Sequence, residues 1–262
     1  MQIWPKSILV DTGPLIALAV VRFQTKDINM TKLDSVASLD KLGRKRLSTS
    51  FFMRDFLYSE VANFHGIPNI PDDPEAALMT GTRLCEDLLE PLQATFGRVV
   101  IRSAYRSSKV NEYCNQMQKE KKPGYTCASN EKNYARHIWD KPDKDHKYGA
   151  MACVLIPWFG DRYSETKDWK PMAYWIHDHL PYSELEFYPK HLAFNIGWHQ
   201  DSKRTISSYV GDRGSLNLTE ETHTDFSSRY AGFPAFKKGG FTKSSAQIRD
   251  MNRPVTRMDT GS

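Results

Sequence analysis

At 262 residues the chain has room for one sizeable core with extensions, and 40% hydrophobic with 12% aromatic residues is a globular composition that excludes disorder of the whole chain. The net charge of +5 is spread along the sequence, with local clusters at Lys41-Leu42-Gly43-Arg44-Lys45-Arg46 and Lys119-Glu120-Lys121-Lys122, so charge does not select nucleic acid as a partner. Cys85, Cys114, Cys127 and Cys153 include no Cys-x-x-Cys pair, which argues against a zinc ribbon or a dense disulfide framework and makes a reducing compartment the default.

The apolar run 8–20 is interrupted by Asp11 and Pro14 and is shorter than the roughly 20 residues a membrane span needs. No secretion signal is evident, so the expectation is a cytoplasmic protein without a membrane span, with release by lysis as a route outward. The opening Val10-Asp11-Thr12-Gly13 resembles the first strand of PIN-type nucleases, but companion acidic residues do not follow. Asp11 reads as a turn or cap residue. Residues 31–50 are polar and basic, a linker or lead-in helix, so 1–50 is taken as an arm.

The main domain is expected over 51–209. Residues 51–62 read as a short strand and then a helix opening at Ser59-Glu60, types suited to a first turn. Pro68, Pro71 and Pro74 enforce an extended loop. The clearest helix is 74–96, where Leu78, Leu84, Leu88, Leu89 and Leu92 form a buried stripe and Gly97 ends it. Val99-Val100-Ile101 follows as a buried strand, then Ser103-Ala104-Tyr105-Arg106-Ser107 and a helix over 110–117. Residues 119–145 form a lysine-rich loop containing His137. Strands are expected at 150–158, 185–188 and 193–198, with a helix at 172–180. Beyond Ser207 periodicity fades, and 210–262 reads as an irregular or flexible tail.

In their order, Ser103-Ala104-Tyr105-Arg106-Ser107 with Asn111, then His137, then Gly149-Ala150-Met151-Ala152-Cys153, then Gly197-Trp198-His199, these pieces resemble the D-Ala-D-Ala carboxypeptidase-like zinc peptidases, whose fold is shared with the Hedgehog signalling domain. The resemblance implies an α+β fold, a small antiparallel sheet packed with helices, with irregular N- and C-terminal extensions. It implies Zn2+ as cofactor, held by His137 and His199, with Cys153 where the family has an aspartate. Thiolate is a good zinc ligand, so a His-Cys-His set is chemically reasonable. Asp140, Asp143, Asp145 and His146, in an insertion after His137, are alternative third ligands, and Cys153 also reads as a small apolar residue in a buried strand.

In that family a metal-bound water is acidified and a glutamate moves its proton. No acid stands just before Trp198 here. Glu186 is the candidate base, since pairing of its strand with 193–198 would bring it alongside His199, although Glu184 and Glu186 also suit a solvent face opposite Leu185 and Phe187. Arg106 matches the family's arginine, a clamp for a carboxylate or oxyanion. Ser103, Tyr105, Arg106 and Trp198 make up the expected substrate contacts. His177, His179 and His191 are read as surface or turn residues.

Two functions follow from the resemblance. One is a zinc-dependent peptidase, a carboxypeptidase or endopeptidase acting on peptidoglycan-type peptides. The other is a non-catalytic, metal-stabilised binding or structural module that keeps the fold, with a peptide or a protein as partner. Nucleic acid is not expected as a ligand.

Overall fold

The structure is a computed structural model that describes residues 33–211, 214–218 and 225–239. The Asp11 turn lies outside the described residues. The chain order is α1 (Val36–Gly43), a 3-10 turn (Met53–Phe56), α2 (Glu60–His65), α3 (Pro74–Leu84), a π turn (Cys85–Leu89), α4 (Glu90–Phe96), β1 (Val100–Ser103), α5 (Ser108–Lys119) and α6 (Asn130–Asn133). Then come β2 (Gly149–Leu155), α7 (Pro157–Arg162), α8 (Lys170–His179), β3 (Glu184–Phe187), β4 (Phe194–His199), β5 (Thr205–Ser208), β6 (Gly214–Ser215) and a last 3-10 turn (Ser227–Tyr230).

The fold is α+β, built on a six-stranded sheet in the order β1-β2-β4-β3-β5-β6. The sheet is mixed rather than wholly antiparallel, because β5 runs parallel to β3. The chain leaves β4 at His199 and crosses the start of β3, where Lys203 N–H donates to Ser183 Oγ at 3.1 Å and Ser202 Oγ to the Tyr182 carbonyl at 2.8 Å. That crossing delivers β5 to the far side of β3.

Alternation along the central strands divides the sheet into two faces. Ala150, Ala152 and Val154 of β2, Phe194 and Ile196 of β4, and Leu185 and Phe187 of β3 are all buried against the helices. The other face carries Cys153, Asn195 and Glu186 side by side, because Cys153 pairs with Asn195 and Asn195 with Glu186. Three of the expected strands fall within two residues of their sequence bounds. Another, 150–158, stops at Leu155, because Pro157 opens α7 and takes Trp158 into a helix.

The expected helix 74–96 is one helical run with a widened middle. Asp73 caps it, its carboxylate accepting from Glu75 and Ala76 N–H at 3.1 and 3.0 Å. Pro91 has no N–H, and its ring would crowd the carbonyl four residues back, so the turn before it opens into the π segment and Glu90 N–H reaches the Cys85 carbonyl instead. Glu90 is thereby buried, accepting from Ser48 Oγ at 2.7 Å, Ser50 N–H at 2.6 Å and Ser50 Oγ at 3.0 Å. Gly97, at φ +85°, ends the run.

The packed region begins before residue 51, since Leu42 and Leu47 are fully buried and Arg46 bridges Phe52. The strand expected at 51 is instead a 3-10 turn, closed by the Asp55 carboxylate on Phe52 N–H at 2.8 Å. Ser59 caps α2 as expected, its Oγ accepting from Ala62 N–H at 3.3 Å. Residues 225–239, read from sequence as irregular, hold to the helical side. Asp178 Oδ2 accepts from Phe226 N–H at 3.0 Å and Tyr230 Oη at 2.7 Å, and Phe233 sits edge-on to Phe96 and Trp158.

Candidate functional site

Two elements create an open cleft on the polar face of the sheet. In β1 the register slips between Ile101 and Ser103, and this bulge turns both Arg102 and Ser103 to the cleft. Where β1 leaves β2, residues 135–139 take over the vacated edge: Met151 N–H donates to the Arg136 carbonyl at 2.9 Å, and Trp139 Nε1 to the Met151 carbonyl at 3.1 Å. Gly149 permits this, since a Cβ there would stand 2.3 Å from the Ala135 carbonyl oxygen and 2.8 Å from His199 Cδ2. Gly149→Ala is therefore expected to cost about 1–3 kcal/mol, read as a lowered urea midpoint at constant m-value.

The cleft has two joined halves. One, of about 350 Å³, is lined by Arg102, Ser103, Arg106, His137, Cys153 and Lys190 among others. The second, of about 720 Å³, shares Arg106, Thr126, His137, Tyr188 and Asn195 with it and adds Arg136, Glu186 and Tyr209. Volumes of this order suit a small ligand or a peptide end.

His137 is buried, and its Nδ1–H donates to the Ala104 carbonyl at 2.8 Å. This fixes the tautomer and leaves Nε2 as a lone-pair acceptor. Burial first, then the Arg106 guanidinium, pushes its pKa well below the ordinary value, so His137 is neutral. Arg106 is anchored by its backbone N–H on the His137 carbonyl at 2.8 Å and by Nη1 on Asn111 Oδ1 at 3.3 Å and Cys127 Sγ at 2.7 Å. Its buried Nε has no protein acceptor. Among the described residues neither Arg102 nor Lys190 has a carboxylate partner, whereas Arg136 pairs with Glu184 at 3.0 Å.

Cys153 is a free, buried thiol. Burial pushes its pKa up to about 11, against a partial opposing pull from Arg102 and Arg106. The Cys153 thiol and the His137 imidazole thus both line the cleft in their neutral forms. Glu186 is tied into a local cluster. Its Oε2 accepts from Tyr188 Oη and from Asn195 Nδ2, the latter at 3.0 Å, and Asn195 Nδ2 also reaches Tyr188 Oη at 2.9 Å. Tyr188 stacks on Tyr209 with ring centroids 5.6 Å apart. Asn195 and Tyr188 were not singled out from sequence; the signal for Asn195 was a lone amide inside the apolar strand Phe194-Asn195-Ile196.

Of the expected metal ligands, His137 and Cys153 reach this cleft and His199 does not. His199 pairs with Gly149, four residues along β4 from the Asn195 rung, or about 13 Å at ~3.3 Å per residue. Its ring is engaged on both sides there: Nε2 lies 3.1 Å from Asp143 Oδ2, and Nδ1 lies 2.7 Å from the Asp201 carbonyl oxygen and 3.0 Å from the Asp201 amide nitrogen. Burial disfavours the Asp143 carboxylate, yet the N–H groups of Lys147 and Asp145, with His199, hold its pKa below the usual range. Asp140 is likewise committed, accepting from Tyr105 Oη at 3.2 Å and from Asp72 and Asp73 N–H at 2.8 and 3.2 Å. Among the described residues no group of three His, Cys, Asp or Glu side chains is arranged to hold a metal ion. The residues present do not fit the zinc set His137, Cys153 and His199.

The expected substrate contacts divide similarly. Ser103 and Arg106 line the cleft. The Tyr105 ring is fully buried against Trp139, outside the cleft lining. Trp198 faces the helices, its ring 5.5 Å from the Arg83 guanidinium carbon. Among the described residues no helix is long and apolar enough to cross a membrane. No family model matches this chain, and no curated protein or solved structure shows significant similarity to it.

Proposed function

We propose that this protein is a non-hydrolytic binding module whose cleft takes the free carboxylate end of a peptide, such as a peptidoglycan stem peptide. The observation that supports it is the convergence of Arg102, Arg106 and Lys190 on one cleft, with a single acid, Glu186, already engaged by Tyr188 and Asn195. A guanidinium accepts a carboxylate through charge-assisted hydrogen bonds. The neutral His137 Nε2 offers an acceptor for a peptide N–H, and the Ser103 hydroxyl a donor for a peptide carbonyl.

Hydrolysis by a metal-bound water is the second reading, favoured by one detail. His137 donates through Nδ1 to a backbone carbonyl, the way a metal-ligating histidine is commonly oriented. Calorimetry with an acetylated D-Ala-D-Ala peptide and its C-terminal amide separates the two. The acid is expected to bind and stay intact by mass spectrometry, with or without added zinc. Equal affinity for the amide would remove the carboxylate reading, and cleavage that stops on chelation would restore the peptidase.

A further inference from the structure

Cys114 on α5 and Cys127 at the end of the following loop form a disulfide, with Cα atoms 5.7 Å apart. Cys127 also lines the larger half of the cleft, and its Sγ accepts from Arg106 Nη1 at 2.7 Å. Other bonds hold Cys127 in place independently of the S–S bond. Asn115 Nδ2 donates to its carbonyl at 2.7 Å, and its N–H donates to Gln118 Oε1 at 2.6 Å. Reduction therefore leaves Cys127 beside Arg106.

What changes is the chemistry of the sulfur. In a disulfide it is neutral and a weak acceptor, so the guanidinium charge is left for a ligand. A thiol next to a guanidinium ionises more readily than a free one. The charged and titratable groups around Cys127 favour that ionisation: Arg106, Arg136 and His137, with Glu186 and Tyr188, on the cleft side, and Lys119 and Lys132 on the outer side. Cations outnumber the one carboxylate, which Tyr188 and Asn195 already engage.

We propose that the Cys114–Cys127 disulfide is a redox switch on the carboxylate site, open to ligand when oxidised and blocked when reduced. This rests on the carboxylate-binding reading above. A dithiol reductant supplies two electrons and two protons to the S–S bond and is itself oxidised to a disulfide. Cys114 and Cys127 become thiols, Cys127 releases its proton to solvent, and its thiolate pairs with Arg106. A peptide carboxylate then competes with a resident anion for the same guanidinium. By linkage, bound peptide makes the disulfide harder to reduce by the same factor.

Protein reduced with dithiothreitol is expected to bind the acetylated D-Ala-D-Ala peptide at least tenfold more weakly than oxidised protein, with recovery on reoxidation. Cys114→Ser, which leaves Cys127 as a thiol without reductant, should match the reduced form. An unchanged Kd in both would overturn the switch. A readout without peptide is the pH midpoint for iodoacetamide labelling of Cys127 in reduced protein, followed by mass mapping. It should lie below the ordinary thiol value of about 8.5 and rise in Arg106→Gln; the same midpoint in both proteins overturns the coupling. Failure of the oxidised protein to bind the peptide would instead fell the carboxylate reading, with the labelling midpoint still deciding the Arg106–Cys127 pair.

Discussion

Arg106→Ala is expected to weaken binding of a carboxylate-terminated peptide roughly tenfold to a hundredfold, since hydrogen bonds to charged groups contribute about 1.5–3 kcal/mol. The loss should fall on the acid and not on the C-terminal amide. Arg106 also holds Asn111 and Cys127, so the variant is to be checked by its unfolding midpoint. Arg106→Lys separates charge from geometry. It keeps a cation but loses the planar fork that grips a carboxylate by two parallel bonds, and an intermediate Kd is expected. Calorimetry that returns a wild-type Kd for Arg106→Ala, with the fold intact, would remove Arg106 from the site.

The second large effect is on stability against pH. The folded His137 has a pKa well below the ordinary value, from burial first and Arg106 second, whereas an unfolded histidine titrates near about 6.5. Below that pH the unfolded chain takes up a proton that the folded chain refuses. His137 therefore contributes full stability above about pH 6.5 and loses it as pH falls towards its folded pKa, at up to about 1.4 kcal/mol per pH unit. Denaturant unfolding between pH 7 and 5 should show this slope in wild type and a shallower one in His137→Gln. Equal slopes would mean that the imidazole is not held neutral in the fold.

The parts of this molecule that were legible in sequence are those governed by local periodicity and capping. The leucine stripe of 74–96, the Ser59 cap, and the two-faced strand Glu184–Phe187 need only their own neighbours to be read. The pairing of β3 with β4 was also anticipated. Its register was not: Glu186 opposes Asn195 rather than His199, and a strand's register is set by turn geometry and long-range packing that no single strand spells out. The same gap in register separates His199 from Cys153. Arg106, Ser103 and His137 were picked out through the resemblance, on the run Ser103-Ala104-Tyr105-Arg106-Ser107 and the isolated histidine of the loop that follows α5. The contributions of Tyr188, Thr126 and Lys190 come from loops that converge only once the sheet has formed. The disulfide was equally hidden, since a spacing of 13 residues between Cys114 and Cys127 matches no local pattern and depends on the chain doubling back after α5.

The π turn before Pro91 has a consequence for how this chain can vary in length. A π turn is a regular helix carrying one surplus residue, so removing any one of residues 85–89 would let the helix close normally. Everything downstream would keep its facing, because the residue five positions on in the widened turn already stands where the residue four positions on stands in a regular helix. Glu90 would still meet Ser48 and Ser50, and Phe96 would still pack against Trp158 and Trp175. A deletion in a regular part of the run would instead turn all that follows by about 100° around the helix axis, the angle between successive residues at 3.6 per turn. The widened turn is thus the one place in this helix where the chain can shorten by a residue without re-facing the packing on either side.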